Sequence, residues 1–192
     1  MTLLLLGLVV FLGVHCIRIV ADSWRTRMLS SLGEARWKGL YSVASLAGFS
    51  LLCWGYASAR GDLTVLWSPP IALKHLTLLL MWLSWVLLVA AYVPGNSVQA
   101  RVHHPMLLGV LLWSLAHLLA NGRLVQVLLF GSFALWSLLC LRSCWQRDQA
   151  SGKVYASGRA LPTVLVWVAG TVLYAVFLLW GHRWVTGVAP LP

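Results

Sequence analysis

Charged side chains are scarce in this sequence, and acidic ones are the scarcest. Only 9% of the 192 residues are charged and four are acidic, whereas 60% are hydrophobic. A soluble domain of this size does not have enough interior to bury so many apolar side chains. The composition therefore excludes an ordinary soluble enzyme and predicts a protein embedded in a membrane.

The cysteines lack the spacing of common cofactor motifs. None of the four belongs to a C-x-x-C or C-x-x-C-H motif, which excludes covalent attachment of a c-type haem. Cys140 and Cys144 are one helical turn apart. We interpret them as small buried apolar residues rather than as a metal-binding pair.

Long apolar runs recur along the chain and predict its transmembrane helices. Such runs are too long and too uniformly apolar for the strands of a membrane barrel. We predict an all-α polytopic bundle of about six transmembrane helices that forms one domain over residues 1–192. The first run lacks a charged leader and an A-x-A site, so we expect a retained helix rather than a signal peptide. The predicted spans are residues 2–19, 40–58, 72–93, 105–120, 124–141 and 163–182.

The net charge of +10 comes from basic residues in short loops between these spans. Positive loops orient membrane proteins and meet anionic lipid, so we expect contact with the bilayer and no binding of nucleic acid. With six spans, ten basic residues lie on one side of the membrane and four on the other. The positive-inside rule then places the side with ten in the cytoplasm and both termini outside it. The ten are Arg18, Arg25, Arg27, Arg36, Lys38, Arg101, Arg142, Arg147, Lys153 and Arg159, and the four are Arg60, Lys74, Arg123 and Arg183.

Local motifs predict where several helices begin and end. Ser31 and Glu34 have the spacing of a capping box at a helix start. Pro105 suits the first turn of the fourth span, because proline has no N–H to leave unpaired there. Asn121 and Gly122 end that span shortly before the fifth, which predicts an antiparallel helical hairpin.

Two of the six histidines lie well inside predicted spans, where polar side chains usually face the bundle interior or a functional cavity. They are His15 in the first span and His117 in the fourth. Two neutral imidazoles from facing helices can bind haem iron axially. We consider such a site at His15 and His117, with His75 as the alternative to His15. The other interpretation is that both histidines form hydrogen bonds between helices.

The neighbours of His117 suit either a close helix contact or a flat ligand. Gly109 and Trp113 share its helix face with small residues. His104 lies roughly 140° away around the helix, so we interpret it as a cap or supporting group rather than a co-ligand.

Arg18 follows His15 on one stripe of the first span. It could extend to the membrane surface, pair with Asp22 or hold an anionic ligand group. If both helices are straight and upright, the depths of His15 and His117 differ by roughly 10 Å, which weakens that pairing.

Four motifs extend over nearly the whole chain: LGEARWKGLYSVASLAG at 32–48, GYASAR at 55–60, LWSPP at 66–70 and R-x-x-HPMLLGVLLWSLAHLLANG at 101–122. They closely resemble those of the NnrU family. The resemblance implies a multi-pass bacterial inner-membrane protein that is associated with nitrite and nitric oxide metabolism in denitrification, and the charge asymmetry then places both termini in the periplasm. A plant relative of the family is 15-cis-zeta-carotene isomerase, a membrane enzyme that uses haem b.

The resemblance implies haem b as cofactor, with His117 and His15 as iron ligands and His104 in support. It leaves open whether the protein is an enzyme. A redox-switched haem isomerase would act on an apolar polyene such as a cis-carotenoid, and a sensor would bind nitric oxide or respond to redox state. One departure from the family pattern is Arg123, which stands where the family usually has an acid.

Two further functions stay open. The first is a non-catalytic membrane factor that assists the assembly or regulation of nitrite and nitric oxide reductases. The second is a membrane methyltransferase, because HP-x-x-x-G at 104–109 resembles part of the isoprenylcysteine carboxyl methyltransferase motif. The sequence is also compatible with a homo-oligomer.

Overall fold

A computed structural model describes residues 1–191, and these form helices joined by short loops, as the predicted all-α class requires. No strand occurs among these residues, apart from isolated bridges between loops. The helices are α1 (Thr2–Val20), α2 (Asp22–Leu32), α3 (Glu34–Ala59), α4 (Ile71–Ala90), α5 (Ser97–Val102), α6 (Pro105–Ala120), α7 (Leu124–Ala150), α8 (Ala160–Val176), a π-helical turn (Phe177–Gly181) and α9 (His182–Thr186).

Six apolar helices correspond to the six predicted spans. Five are long and apolar enough to cross a membrane: α1, α3, α4, α7 and the continuous stretch Ala160–Thr186. The sixth, α6, is apolar but has only 16 residues, which gives it a length of about 24 Å. The chain is therefore a multi-pass membrane protein with one short span.

The apolar helices pack side by side in the order α3, α1, α7, α6, α4, α8. One buried core joins α1, α3 and α7 through residues such as Leu4, Leu52 and Phe130. A second joins α4 and α8 through Val86 and Val166. We call α1, α2, α3 and α7 the first half and α4, α5, α6 and α8 the second half. The α6–α7 hairpin connects them.

Glycines allow α1 and α3 to pack with their backbones in contact. A Cβ atom on Gly48 would lie 2.7 Å from the backbone nitrogen of Phe11. Gly7 faces Leu52 in the same way, and Gly55 faces Leu4. Small residues commonly mediate such close contacts in membranes, where dispersion replaces the hydrophobic effect between helices.

The loops mark two ends of the molecule. Asn96 bridges Arg159 at the end where α2, α5 and loop 151–159 lie. The alternation of the spans places the ten basic residues of the larger group at this end, so we call it the basic end. Val65 bridges Arg123 at the opposite end.

The predicted capping box is wrong, because the chain forms a helix there that the sequence did not reveal. Ser31 lies in the last turn of α2, and its hydroxyl donates to the carbonyl oxygen of Met28 at 3.2 Å. Gly33, with φ of 79°, stands before α3 instead. Glu34 pairs with Lys38 at 2.7 Å. The predicted start at Pro105 is confirmed.

Candidate functional site

His15 presents one ring nitrogen that its own helix does not use. The half-buried imidazole forms a 2.7 Å hydrogen bond between Nδ1 and the carbonyl oxygen of Phe11. Because a carbonyl oxygen can only accept, Nδ1 carries the proton and Nε2 keeps its lone pair. This is the tautomer and the type of second hydrogen bond that metal-bound histidines commonly have.

The ring of His15 lies between two adjoining cavities and is surrounded by aromatic side chains. Its centroid is 4.4 Å from Phe11, 5.4 Å from Tyr41 and 6.0 Å from Trp136. Both cavities are open grooves on the surface of the helix bundle rather than enclosed spaces. They have volumes of about 480 and 340 Å³ and share His15, Tyr41 and Ser42. We call the two together the His15 cavity. Its aromatic walls suit a flat apolar ligand.

Cations line the larger part of the His15 cavity. Lys38 is already paired with Glu34, and Arg25 lies 3.9 Å from Asp22. Arg18 also lines the cavity, and it has no carboxylate within ion-pair distance in the described residues 1–191. Of the three alternatives for Arg18, pairing with Asp22 is therefore not what the structure shows. Arg18 is the cation that could bind an anionic ligand group.

Polar atoms without partners lie beside the same cavity. Trp136 Nε1 and Ser45 Oγ are buried and have no hydrogen-bond partner within residues 1–191. Ser45 lines the smaller cavity, and the Trp136 ring contacts His15. An unsatisfied buried donor costs roughly 1–3 kcal/mol. A ligand with acceptor atoms would reduce that cost. The surroundings of His15 therefore suit a ligand that has both polar and apolar parts better than a purely apolar one.

His117 has the same tautomer as His15 in a different environment. Its Nδ1 donates to the carbonyl oxygen of Trp113 at 2.8 Å, which leaves the lone pair on Nε2. The imidazole stacks on Phe130 with ring centroids 4.4 Å apart, and the Trp113 ring is 5.2 Å away. His117 is not part of the lining of the His15 cavity.

The structure does not bring His15 and His117 together. On α7, His15 contacts Trp136 whereas His117 contacts Phe130, and those positions are about 9 Å apart along the helix axis. Two ligands of one iron need nitrogen atoms only about 4 Å apart, twice the length of a metal–imidazole bond. This agrees with the depth difference expected from helix geometry.

Aromatic side chains fill the space between the two histidines. Phe133 lies 6.0 Å from Phe11 on the His15 side and 5.4 Å from Trp113 on the His117 side, measured between ring centroids. The residues around His15 thus fit a haem held by one histidine. Simultaneous ligation by both histidines does not fit this arrangement.

Gly109 lies in a helix contact rather than at the His15 cavity. A Cβ atom there would meet the Leu88 side chain at 3.1 Å and the Ser84 carbonyl oxygen at 3.2 Å. The Ser84 hydroxyl also donates to the Gly109 carbonyl oxygen at 2.8 Å. Of the two interpretations of the small-residue stripe on α6, the structure shows the close packing on α4.

The other histidines of the sequence prediction lie away from the His15 cavity. His104 forms a 2.7 Å contact with Asp148 at the basic end, and its side chain makes no cap hydrogen bond to α6. His75 is exposed on α4. Cys140 is buried and Cys144 half-buried, both as free thiols. Among the residues the structure describes, no group of three or more histidine, cysteine or acidic side chains could hold a metal ion.

Sequence reasoning missed Trp136 and Ser45. Trp136 is one of 12 tryptophans, and nothing in its spacing distinguishes it from those that face lipid. Ser45 is one of four serines in α3, and its spacing does not distinguish it from the others. Their common position next to His15 depends on α1 packing between α3 and α7, which no local motif encodes.

The fold and the cavity define a polytopic α-helical membrane protein with a histidine-bearing cavity lined by α1, α2 and α3. A family model described as NnrU protein matches residues 3–190. The chain therefore belongs to the NnrU family. No curated protein matches this chain, and no solved structure matches it.

Proposed function

We propose that this chain is an integral membrane protein that binds haem b, with the Nε2 atom of His15 as the iron ligand. The observation that carries the proposal is the His15 imidazole itself. It lines an aromatic cavity, and its Nδ1 proton is already donated to Phe11. The unpaired Trp136 and Ser45 atoms and the unpaired Arg18 support a ligand with both apolar and acidic parts.

Each wall of the cavity has its own part in binding. The hydrogen bond to Phe11 orients the His15 ring, and the Phe11 and Tyr41 rings would pack against an apolar face of the haem. Arg18 would hold a propionate near the membrane boundary, because a guanidinium matches a carboxylate. When bound, the haem supplies an iron centre whose ligands and redox state can change.

A single protein ligand also favours one biological role among those that the sequence left open. A haem held by one histidine would leave a coordination position for a small molecule such as nitric oxide. We therefore propose a nitric oxide-binding or redox-sensing role in denitrification ahead of polyene isomerisation. The basic end faces the cytoplasm of a bacterial inner membrane in this proposal, because positive loops are retained there.

Absorption spectra of the detergent-purified protein, oxidised and then reduced with dithionite, test the proposal. We expect a Soret band in the wild type, a high-spin reduced form and a shift of that form on adding carbon monoxide. His15→Ala should lose the pigment, and His117→Ala should keep it. His75→Ala is the matched control, because His75 is an exposed histidine on another helix.

Three results would contradict parts of this proposal. A colourless protein after expression with ample haem would contradict haem binding and favour the non-catalytic assembly factor. Loss of the pigment in both His15→Ala and His117→Ala would contradict ligation by His15 alone. Sharp low-spin bands in the reduced wild type, unaffected by carbon monoxide, would also indicate a second protein ligand.

A further inference from the structure

Side chains from three segments meet around Asp148 at the basic end. The imidazole of His104 donates from Nε2 to Oδ2 of Asp148 at 2.7 Å, and the hydroxyl of Tyr155 donates to the same oxygen at 2.6 Å. Lys153 Nζ lies 3.8 Å from the other carboxylate oxygen. We call these residues, with His103, the Asp148 cluster.

Asp148 is more enclosed than the acids of the other ion pairs. Its side chain is 18% exposed, compared with 53% for Asp22 and 72% for Glu34. Exposed ion pairs contribute little to the stability of a folded protein. A carboxylate that receives several hydrogen bonds away from water contributes more. Among the ion pairs of the described residues, the one between Asp148 and His104 is the least exposed.

His103 adds a conformational feature to the cluster. Its φ angle is 63°, and it is the one residue other than glycine with positive φ in the described part of the chain. With ψ of −47° and a 2.7 Å hydrogen bond from the His104 N–H to the Val102 carbonyl oxygen, His103 is the centre of a γ-turn. This form of the γ-turn is strained for a residue with a Cβ atom and persists where surrounding contacts impose it. Here the imidazole stacks on Tyr155, with ring centroids 4.0 Å apart and planes 3° apart.

The cluster joins the two halves of the molecule. His103 and His104 connect α5 to α6 in the second half, whereas Asp148 lies on α7 in the first half. Tyr155 lies in loop 151–159, which leads to α8. At the opposite end, backbone hydrogen bonds make the connection, including one of 2.8 Å from Leu66 to Gly122.

We propose that the Asp148 cluster is a latch that fixes the two halves to each other at the basic end. Its closure depends on the negative charge of Asp148. When that charge is removed, loop 151–159 and the corner between α5 and α6 are released together. The stacking contact between His103 and Tyr155 is then lost as well, which removes one of the contacts around the strained γ-turn at His103.

The charges around Asp148 explain why the latch is closed at neutral pH. His104 faces it from the α5–α6 corner, and Lys153 and Tyr155 face it from the loop. His103 stacks on Tyr155 rather than on the carboxylate. On α7 itself, the guanidinium of Arg147 is directed to Ser143 and Cys144 instead. The hydrogen bond from Tyr155, followed by the bond and charge of His104, lowers the pKa of Asp148 below its ordinary value.

Hydrogen–deuterium exchange of the full-length protein in nanodiscs at pH 7 tests the latch. In Asp148→Asn we expect amide exchange in residues 103–108 and 151–157 to become about tenfold faster or more, because charge-assisted hydrogen bonds are lost. Tyr155→Phe should produce a smaller increase in the same two segments. Glu34→Gln is the control, since it removes an exposed ion pair at the same end.

The two segments must respond together for the proposal to hold. Unchanged exchange in Asp148→Asn, or faster exchange in the loop alone, would overturn it. If Asp148→Asn does not fold, Tyr155→Phe decides, because it keeps the carboxylate and its bond to His104. Coupled faster exchange in that variant supports the latch, and exchange equal to the wild type refutes it.

Discussion

The closest helix contact in the protein, between α1 and α3, gives a quantitative prediction for Gly55→Ala. A Cβ atom at residue 55 would lie 2.6 Å from the Cα atom of Leu4. Ordinary contact between two carbon atoms is about 3.5–4.0 Å, so the helices must separate locally by about 1 Å. The contacting atom belongs to the backbone and cannot rotate away.

That separation is costly because dispersion holds these helices together. A radial gap of about 0.5–1 Å forfeits a quarter to a half of the attraction between atoms in contact. Leu4 and Leu52 are both buried beside this contact. We expect Gly55→Ala to reduce the free energy of unfolding by about 1–3 kcal/mol, the usual range for overpacking.

Gly13→Ala is the matched control on the same pair of helices. Apart from its own helix backbone, a Cβ atom at residue 13 meets no heavy atom of the described residues within 4 Å. The alanine side chain therefore fits without moving the helices. Alanine is favoured over glycine in a helix interior by about 0.5–1 kcal/mol. Gly13→Ala should therefore be neutral or stabilising.

Reversible unfolding of the purified protein in mixed micelles, monitored by circular dichroism, measures both variants. We expect Gly55→Ala to have a lower unfolding midpoint than the wild type, and Gly13→Ala to have an equal or higher one. Equal midpoints for the two variants would refute the claim that backbone contact, rather than glycine flexibility, determines this interface.

Three further predictions concern the cavity and the basic end. Arg18→Gln should weaken haem retention about tenfold with little effect on folding, measured by transfer of haem to apomyoglobin, because it removes a charge pair with a propionate. In thermal unfolding, haem-free Trp136→Phe should be at least as stable as the haem-free wild type, because the substitution removes an unsatisfied buried N–H. The same substitution should weaken haem retention. The pKa of Asp148 is lowered in the folded protein, so its contribution to stability is present above about pH 4 and is lost as the pH falls further. The stabilities of wild type and Asp148→Asn should therefore become equal in acid.

The membrane-spanning part of the fold could be predicted from the sequence because each span carries its own apolar signal. The helix α2 could not, because its sequence DSWRTRMLSSL is polar and none of its residues is buried. For the same reason the extension of α7 from residue 141 to Ala150 gave no signal. Helices outside the bilayer are stabilised by contacts that hydropathy does not record.

The candidate site was predictable in its residues and not in its arrangement. His15, His117 and Arg18 stand out because polar side chains are rare in spans. Their assembly depends on helix order, and α1 packs beside α3 and α7 rather than against α6. That order places His15 next to Tyr41 and Trp136, and it leaves His117 beyond a group of aromatic rings.

Chemical rescue of His15→Gly tests the central claim most directly. Purified His15→Gly would be incubated with haem, with and without added imidazole, and its absorption spectrum compared with that of the wild type. If His15 is the iron ligand, the variant should bind haem poorly alone, and imidazole should restore the wild-type Soret band. Full haem binding by His15→Gly without imidazole, or a wild type that binds no haem, would contradict the assignment of His15 as the ligand.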